Sequence, residues 1–294
     1  MTRAGAIASG WLLSLALFVA AHPAIAQTPL GGETAAGAPG PAAAAPSADK
    51  ESPPIVIDAA TGIEWEREPQ TVTARGSARA VQGDLTVTAE TLKAHYRTRP
   101  DGSTEVYRME AFGGVRIVTP DQTTTGDAAD YDVTQERLVV TRDKKGPRLR
   151  MVTGQSEVTA RDRLTYTRPS RILVAEGDAV AVEPGRTVKG DRLTAYLAEG
   201  GTGRSRFRQV DAEGNVDVTS ADDRVTADRG RFDGPTDTAT FTGQVRVRRG
   251  DSYIDGCRAD FDLGTGVNTM TPCPGRGGEA ARVRGIIVPS GKQE

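Results

Sequence analysis

The sequence predicts an all-β repeat protein, and three observations predict it. Apolar residues recur two apart from about Ile55 to Leu263, with Thr, Arg, Asp, Glu or Lys between them. A unit of Gly, alternating strand, turn and second alternating strand recurs, its leading Gly usually advancing by roughly 30 to 40 residues. Turn residues punctuate the strands, as at Pro100-Asp101-Gly102, Thr119-Pro120-Asp121, Gly146-Pro147 and Glu183-Pro184-Gly185.

The clearest unit is Gly177-Asp178-Ala179-Val180-Ala181-Val182-Glu183, followed after a turn by Gly190-Asp191-Arg192-Leu193-Thr194-Ala195-Tyr196. Looser copies start at Gly76, Gly114, Gly214 and Gly243. The step from Gly114 to Gly177 is about twice the repeat, so a degenerate copy, an extra rung or an inserted hairpin is expected around 140–176. Alternation such as Val216, Val218 and Val245, Val247 gives each strand one dry and one wet face. Abundant Thr suits the wet face. Only the stretch from Ala89 to Tyr96 fits a short helix as well as a strand. Strands of this number in repeated units permit a sandwich, a parallel β-solenoid or a rolled antiparallel jelly roll. A sandwich needs no such repetition and ranks last.

Around this domain, at 55–270, the sequence predicts three further segments. Residues 1–26 have the form of a cleaved signal peptide: Arg3, an apolar run from Ala4 to Ala21, then Ala24-Ile25-Ala26 with small residues at −3 and −1. The competing reading is an uncleaved anchor, against which Pro23 and Ala-x-Ala argue. The mature protein is accordingly expected to be exported. Residues 27–54, rich in Ala, Pro and Gly, read as a disordered linker. Residues 271–294 read as a loop, one last short strand and a tail.

The 37 Lys and Arg nearly balance the 39 Asp and Glu, which gives no electrostatic case for nucleic acid as a partner. Aromatic residues are only 5%, so the core must be filled mainly by Val, Ala, Leu and Ile. The two cysteines, Cys257 and Cys273, lie in an exported chain, where a disulfide is expected; closing a loop of about 17 residues contributes roughly 3 kcal/mol in the chain-entropy model.

Residues with catalytic potential are sparse. His95 is the only His beyond residue 26, too few for a triad or a His-ligated metal; it reads as a strand residue at the sheet surface. Asp222-Asp223 could supply the carboxylate pair of a polysaccharide-acting solenoid enzyme, but adjacent residues point apart and a surface turn fits better. The pairs Gly83-Asp84, Gly126-Asp127 and Gly190-Asp191 lack the nonapeptide spacing of calcium-binding β-rolls. They read as a bulged Gly followed by an Asp that caps the turn before a strand. The basic runs Arg142 to Arg150 and Val245 to Arg249 read as solvated faces. The chain is expected to be neither an enzyme nor a cofactor- or metal-binding protein.

The succession Gly114-Val115-Arg116-Ile117 to Gly126-Asp127-Ala128-Ala129-Asp130-Tyr131, the Gly177 and Gly190 strands, the closing Cys257-Arg258-Ala259-Asp260-Phe261-Asp262-Leu263 and the late Arg282 to Pro289 stretch resemble the OstA-like family of periplasmic lipopolysaccharide-transport proteins, the LptA family. The resemblance spans about residues 70–290, and the chain is longer than a minimal member. It implies an elongated, twisted antiparallel β-jelly roll, the parallel solenoid being the alternative. It also implies a groove that carries the acyl chains of lipid A, and edge-strand partners of the same fold in the inner- and outer-membrane transport complexes. Head-to-tail self-association is part of the same expectation. Groove candidates are Val115, Ile117, Tyr131, Val180, Val182, Leu193, Tyr196, Val216, Val218, Phe232, Val245, Val247 and Phe261. A Val180→Arg change is expected to impair lipid loading. The alternatives are a membrane-anchored subunit of the same pathway and the solenoid enzyme.

Overall fold

The computed structural model describes residues 54–198, 207–274 and 282–288, so the expected signal peptide and linker fall outside the described residues. Within them lie eighteen β-strands and no helix. β1 (Val56–Asp58) and β2 (Gly62–Glu66) form one edge. Four long strands follow: β3 (Thr71–Gln82), β4 (Leu85–Thr98), β5 (Thr104–Thr119) and β6 (Gln122–Asp132). Four short ones come next: β7 (Arg137–Thr141), β8 (Leu149–Thr153), β9 (Ser156–Ala160) and β10 (Arg163–Thr167). Six long strands resume: β11 (Ile172–Glu183), β12 (Arg186–Leu197), β13 (Phe207–Ser220), β14 (Asp223–Asp233), β15 (Thr238–Arg249) and β16 (Ser252–Asp262). β17 (Asn268–Thr271) and β18 (Arg284–Ile286) both pair with β16 at the other edge. The Ala89 to Tyr96 stretch lies within strand β4.

Every pairing is antiparallel, so the parallel solenoid does not form. The chain is an open antiparallel β-jelly roll whose long strands are each interrupted near the middle. Gly76-Ser77 of β3 opposes the single residue Glu90, and Gly113-Gly114 of β5 opposes Asp127. Gly177-Asp178, Gly214-Asn215 and Gly243-Gln244 repeat this two-against-one register opposite Asp191, Asp228 and Cys257. These are β-bulges, which bend the strand and raise its twist. They stack strand after strand into one crease that divides the sheet into two halves. The N-terminal parts of odd-numbered long strands and the C-terminal parts of even ones make the first half-sheet. The remaining parts make the second.

Glycine is needed at the bulge because the backbone turns left-handed there, at φ +85° for Gly177 and +69° for Gly214. It is needed again because the neighbouring strand's carboxylate comes against it. A Cβ on Gly113 would strike Glu90, on Gly177 Asp162, on Gly214 Asp191 and on Gly243 Asp228. Those carboxylates also receive hydrogen bonds from bulge residues: the Asn215 side-chain amide donates to Asp191 at 3.0 and 3.1 Å, and the Gln244 N–H to Asp228 at 3.3 Å. The Asp of Gly126-Asp127 and of Gly190-Asp191 is therefore not a turn cap, as the sequence reading has it. It sits mid-strand at the crease.

The doubled step between Gly114 and Gly177 holds two more rungs. β7 pairs with the first-half part of β6 and β8 with its second-half part, so together they stand for one long strand. β9 and β10 do the same against β11. The loop between β7 and β8 is an enlarged bulge, in which the Asp143 N–H donates to Asp127 at 2.8 Å and Gly146 packs on the same carboxylate.

The outer faces carry cross-strand ion pairs such as Arg108–Asp130, Arg224–Asp217 and Arg246–Asp255, each at 2.6 Å. Exposed pairs of this kind contribute little to stability. Burial at the crease contributes more: Leu149, Leu164, Val216 and Val245 are each at most 2% exposed, and fully burying such a side chain is worth about 1.5–3 kcal/mol.

Gly214→Ala is expected to lower stability by about 2–3 kcal/mol, combining left-handed strain with collision on Asp191. Gly185 has φ +81° but meets nothing within 4 Å; Gly185→Ala should therefore cost only the strain, about 1 kcal/mol. Urea midpoints of the two variants measure the difference, and equal losses would show that the carboxylate contact contributes nothing.

Candidate binding groove

Bending at the crease brings the dry faces of both half-sheets into one interior. In the second half-sheet the register stacks inward residues in three rows. The crease row runs through Ala78, Ala89, Val115, Leu149, Ala160, Ala179, Val216, Ala227 and Val245, all buried. The next row, through Ala80, Val87, Ile117, Val158, Ala181, Val188, Val218 and Val247, is half-buried and packs on the first. In the first half-sheet the crease row is Ala74, Leu92, Ala111, Ala129, Val140, Leu164, Ala175, Leu193, Ala212, Phe241 and Ala259. Beyond it the register aligns Tyr131, Leu138, Tyr166, Leu173, Ala195, Val210, Phe232, Ala239 and Phe261.

Ten of the thirteen groove candidates thus face the interior. Val115, Leu193, Val216 and Val245 are crease residues, buried in simple packing. Ile117, Val218 and Val247 line the second half-sheet, and Tyr131, Phe232 and Phe261 the first. Phe261 meets Phe241 edge-to-face at 5.5 Å. Burial, the main effect, raises the pKa of the Tyr131 and Tyr166 phenols.

Val180, Val182 and Tyr196 do not join them. Ala179 and Ala181 are the inward residues of β11, so Val180 and Val182 point outward, Val182 being 41% exposed. Leu193 and Ala195 are the inward residues of β12, which turns Tyr196 outward, toward Arg231. The reason is register: the pairings of β11 with β9 and β12 put Ala179 and Ala181 in the inward rows, and hydropathy alone does not distinguish them from the adjacent valines. Val180→Arg therefore tests the outer face. Ala181, Val188, Val158 and Tyr166 are the inward residues that the sequence reading missed; fixing the inward parity at each Gly bulge would have found them.

The third row of the second half-sheet is polar from Thr119 onward. It runs through Thr119, Gln122, Thr153, Ser156, Glu183, Arg186, Ser220 and Asp223. Glu183 and Arg186 are direct cross-strand partners. Burial pushes the Glu183 carboxyl up, against the Arg186 charge, and pushes the Arg186 guanidinium down, against Glu183 and Asp237. Both charges are thus partly desolvated at the lip. Among the described residues, Gln122 Oε1 and Thr153 Oγ1 are buried without a hydrogen-bond partner, a condition that costs about 1–3 kcal/mol per group.

His95 and Asp223, the residues weighed for catalysis, are each paired. His95 Nε2 lies 2.6 Å from Glu110 Oε2 on the outer face of β4 and β5. Asp223 holds Arg249 at 2.6 Å beside the exposed turn residue Asp222. Among the described residues no group of three or more His, Cys, Asp or Glu is gathered as a metal site. A disulfide joins Cys257, opposite the last bulge, to Cys273 beyond β17.

Fold and groove define an open β-jelly roll with an apolar interior slot that has one aromatic and one polar lip. The chain matches the family model described as LptA/(LptD N-terminal domain) LPS transport protein over residues 57–161 and again over 157–267. It belongs to that family of lipopolysaccharide-transport proteins, and it holds two family units in tandem, meeting at the short strands β7 to β10. No curated protein matches it. Among solved structures it is similar to LptH of Pseudomonas aeruginosa, described as the LptA homologous periplasmic component of the conserved lipopolysaccharide transport device. The two share 17% identity with a TM-score of 0.36, over 42% of this chain and 83% of that one.

The double change Glu183→Met with Arg186→Met is expected to raise stability at pH 7 by about 1 kcal/mol, because it removes two desolvated charges together. The folded-state pKa of Glu183 lies above its ordinary 4.5, so the folded state binds this proton more tightly than the unfolded one. Stability from this group therefore rises as pH falls through the raised value. The variant's advantage over wild type should shrink as pH is lowered from 7 through the raised value toward the ordinary 4.5, read in denaturation midpoints. An advantage independent of pH would place the cost elsewhere.

Proposed function

We propose that the chain is a periplasmic carrier that holds the acyl chains of lipopolysaccharide in its interior slot and passes the lipid from the inner toward the outer membrane. The observation that carries this is the pair of facing, mainly apolar rows that run through both family units and are mostly half-buried beyond the crease. Each ligand CH₂ buried there is worth roughly 0.8 kcal/mol, so several flexible chains are held without any specific motif. Small aliphatic side chains suit such a ligand, and the polar lip keeps its sugar end in water. No catalytic step is required.

Both sheet edges fit a bridge. β2 and its surroundings expose Val56, Ile63 and Trp65, the last at 71%. At the far edge Val267 and Ile287 are 64% and 82% exposed. An open edge with apolar side chains invites pairing with another strand. Head-to-tail pairing of this kind is heterologous and extends a chain of subunits, either with further copies or with partners of the same fold at the two membranes. The tandem units already display such a continuation covalently.

The test is site-specific photo-crosslinking in cells. A reactive residue at Ala181 or Val218 should capture lipopolysaccharide; one at outward Val182, or at Arg246, should not. Absence of any lipid adduct at the inward positions, in a folded exported protein, would sink the carrier reading.

A further inference from the structure

We infer that the polar lip reads a hydroxyl group borne on an acyl chain, through Gln122 and Thr153. The inference rests on the carrier reading above and specifies its ligand. Gln122 on β6 and Thr153 on β8 are direct cross-strand partners, and the alternation of both strands points them inward with Thr124 and Met151. Side chains so placed have Cβ atoms about 4.5–5.5 Å apart. The Gln122 amide is held by its donation to Thr124 Oγ1 at 3.0 Å, which leaves Oε1 aimed away from that bond. Thr153 is 3% exposed. Each has one buried polar atom that finds no partner among the described residues.

The rest of the lip differs. The Ser220 hydroxyl donates to the Asp223 carbonyl at 3.3 Å, and Asp223 accepts from Arg249 at 2.7 Å. The unmatched pair is therefore local, and it lies in the first family unit, with Thr153 shortly before the second begins at residue 157. Its chemistry selects the ligand group. Gln122 Oε1 can only accept, and the Thr153 hydroxyl can donate. A carboxylate would oppose Oε1 acceptor to acceptor, and an ammonium could not accept from Thr153. An ester or alkane offers no donor, and the N–H and C=O of a trans amide point in opposite directions, so one amide cannot meet both neighbouring side chains. An alcohol serves both, donating to Gln122 and accepting from Thr153. From this row to the crease is two strand steps, ~13 Å, past the apolar side chains of Met151 and Leu149.

The test compares binding of 3-hydroxytetradecanoic acid and tetradecanoic acid to the purified protein by displacement of a fluorescent fatty acid. Wild type should prefer the hydroxylated chain by about five- to tenfold, the worth of a hydrogen bond or so. Thr153→Val keeps the side-chain shape and should abolish most of the preference; Gln122→Met should do the same while tetradecanoic acid binds at least as well. Circular dichroism melts confirm that both variants fold. Both acids bound equally by wild type would overturn the hydroxyl reading and leave the groove intact. Neither acid bound, and no displacement by lipopolysaccharide, would remove the groove reading and this inference with it. Displacement of the hydroxylated probe by lipopolysaccharide assigns the chain to that lipid; a probe that lipopolysaccharide fails to displace assigns it to a free hydroxy acid, and either supports hydroxyl recognition.

Discussion

The stacked bulge is the constraint on which the rest depends. An antiparallel ladder with two residues against one cannot run straight. Repeating that mismatch at the same height in successive strands converts local kinks into one continuous crease. The left-handed glycine makes the kink possible, and the adjoining carboxylate fixes its position by accepting from the bulge, as Asp191 does from Asn215. A carboxylate lodged against Gly177, Gly214 and Gly243 also leaves no room for a side chain there. The motif thus carries its own register marker, and inward parity on both sides of the crease follows from it.

Most of the inward aromatic side chains stand one step out from the crease, in the first half-sheet. Alanine, glycine, valine and leucine fill the innermost row, with Phe241 its one aromatic residue; the other inward tyrosines and phenylalanines, Tyr131, Tyr166, Phe232 and Phe261, stand one step farther out. Close packing at the hinge and looseness toward the lips come from one geometric cause. A groove made this way has no end wall. It continues through β7 to β10, where each long strand becomes two short ones without losing its place in either half. Two units can be joined in this way because each contributes the same two ladders at its edge.

Much of this was legible in the sequence. Period two, recurring Gly and turn chemistry give the all-β repeat, and the doubled spacing between Gly114 and Gly177 marks the junction. What could not be read was parity. Val180 and Ala181 both fit a dry face by hydropathy, and only the paired register shows that Ala181 shares a face with Val158 and Val188. Asp127 and Asp191 look like turn caps because Gly-Asp is common in turns; their mid-strand position becomes visible only when the bulge on the next strand is known. The polar lip was missed for a similar reason. Gln122, Thr153 and Glu183 are scattered over some sixty positions of sequence, and cross-strand pairing alone makes them one row.

That row sets stability against the slot. An apolar third row would bury more surface and leave no charge half-desolvated, yet Glu183 and Arg186 sit where burial works against both. A groove apolar to its rim would also leave a long exposed seam between half-sheets, a surface prone to closing on itself or on another copy. Charge and hydroxyl at one lip hold that rim to water while the opposite lip stays aromatic. The two sides of the slot are therefore chemically unequal. A ligand that is apolar at one end and polar at the other can settle in such a slot in only one orientation across its width.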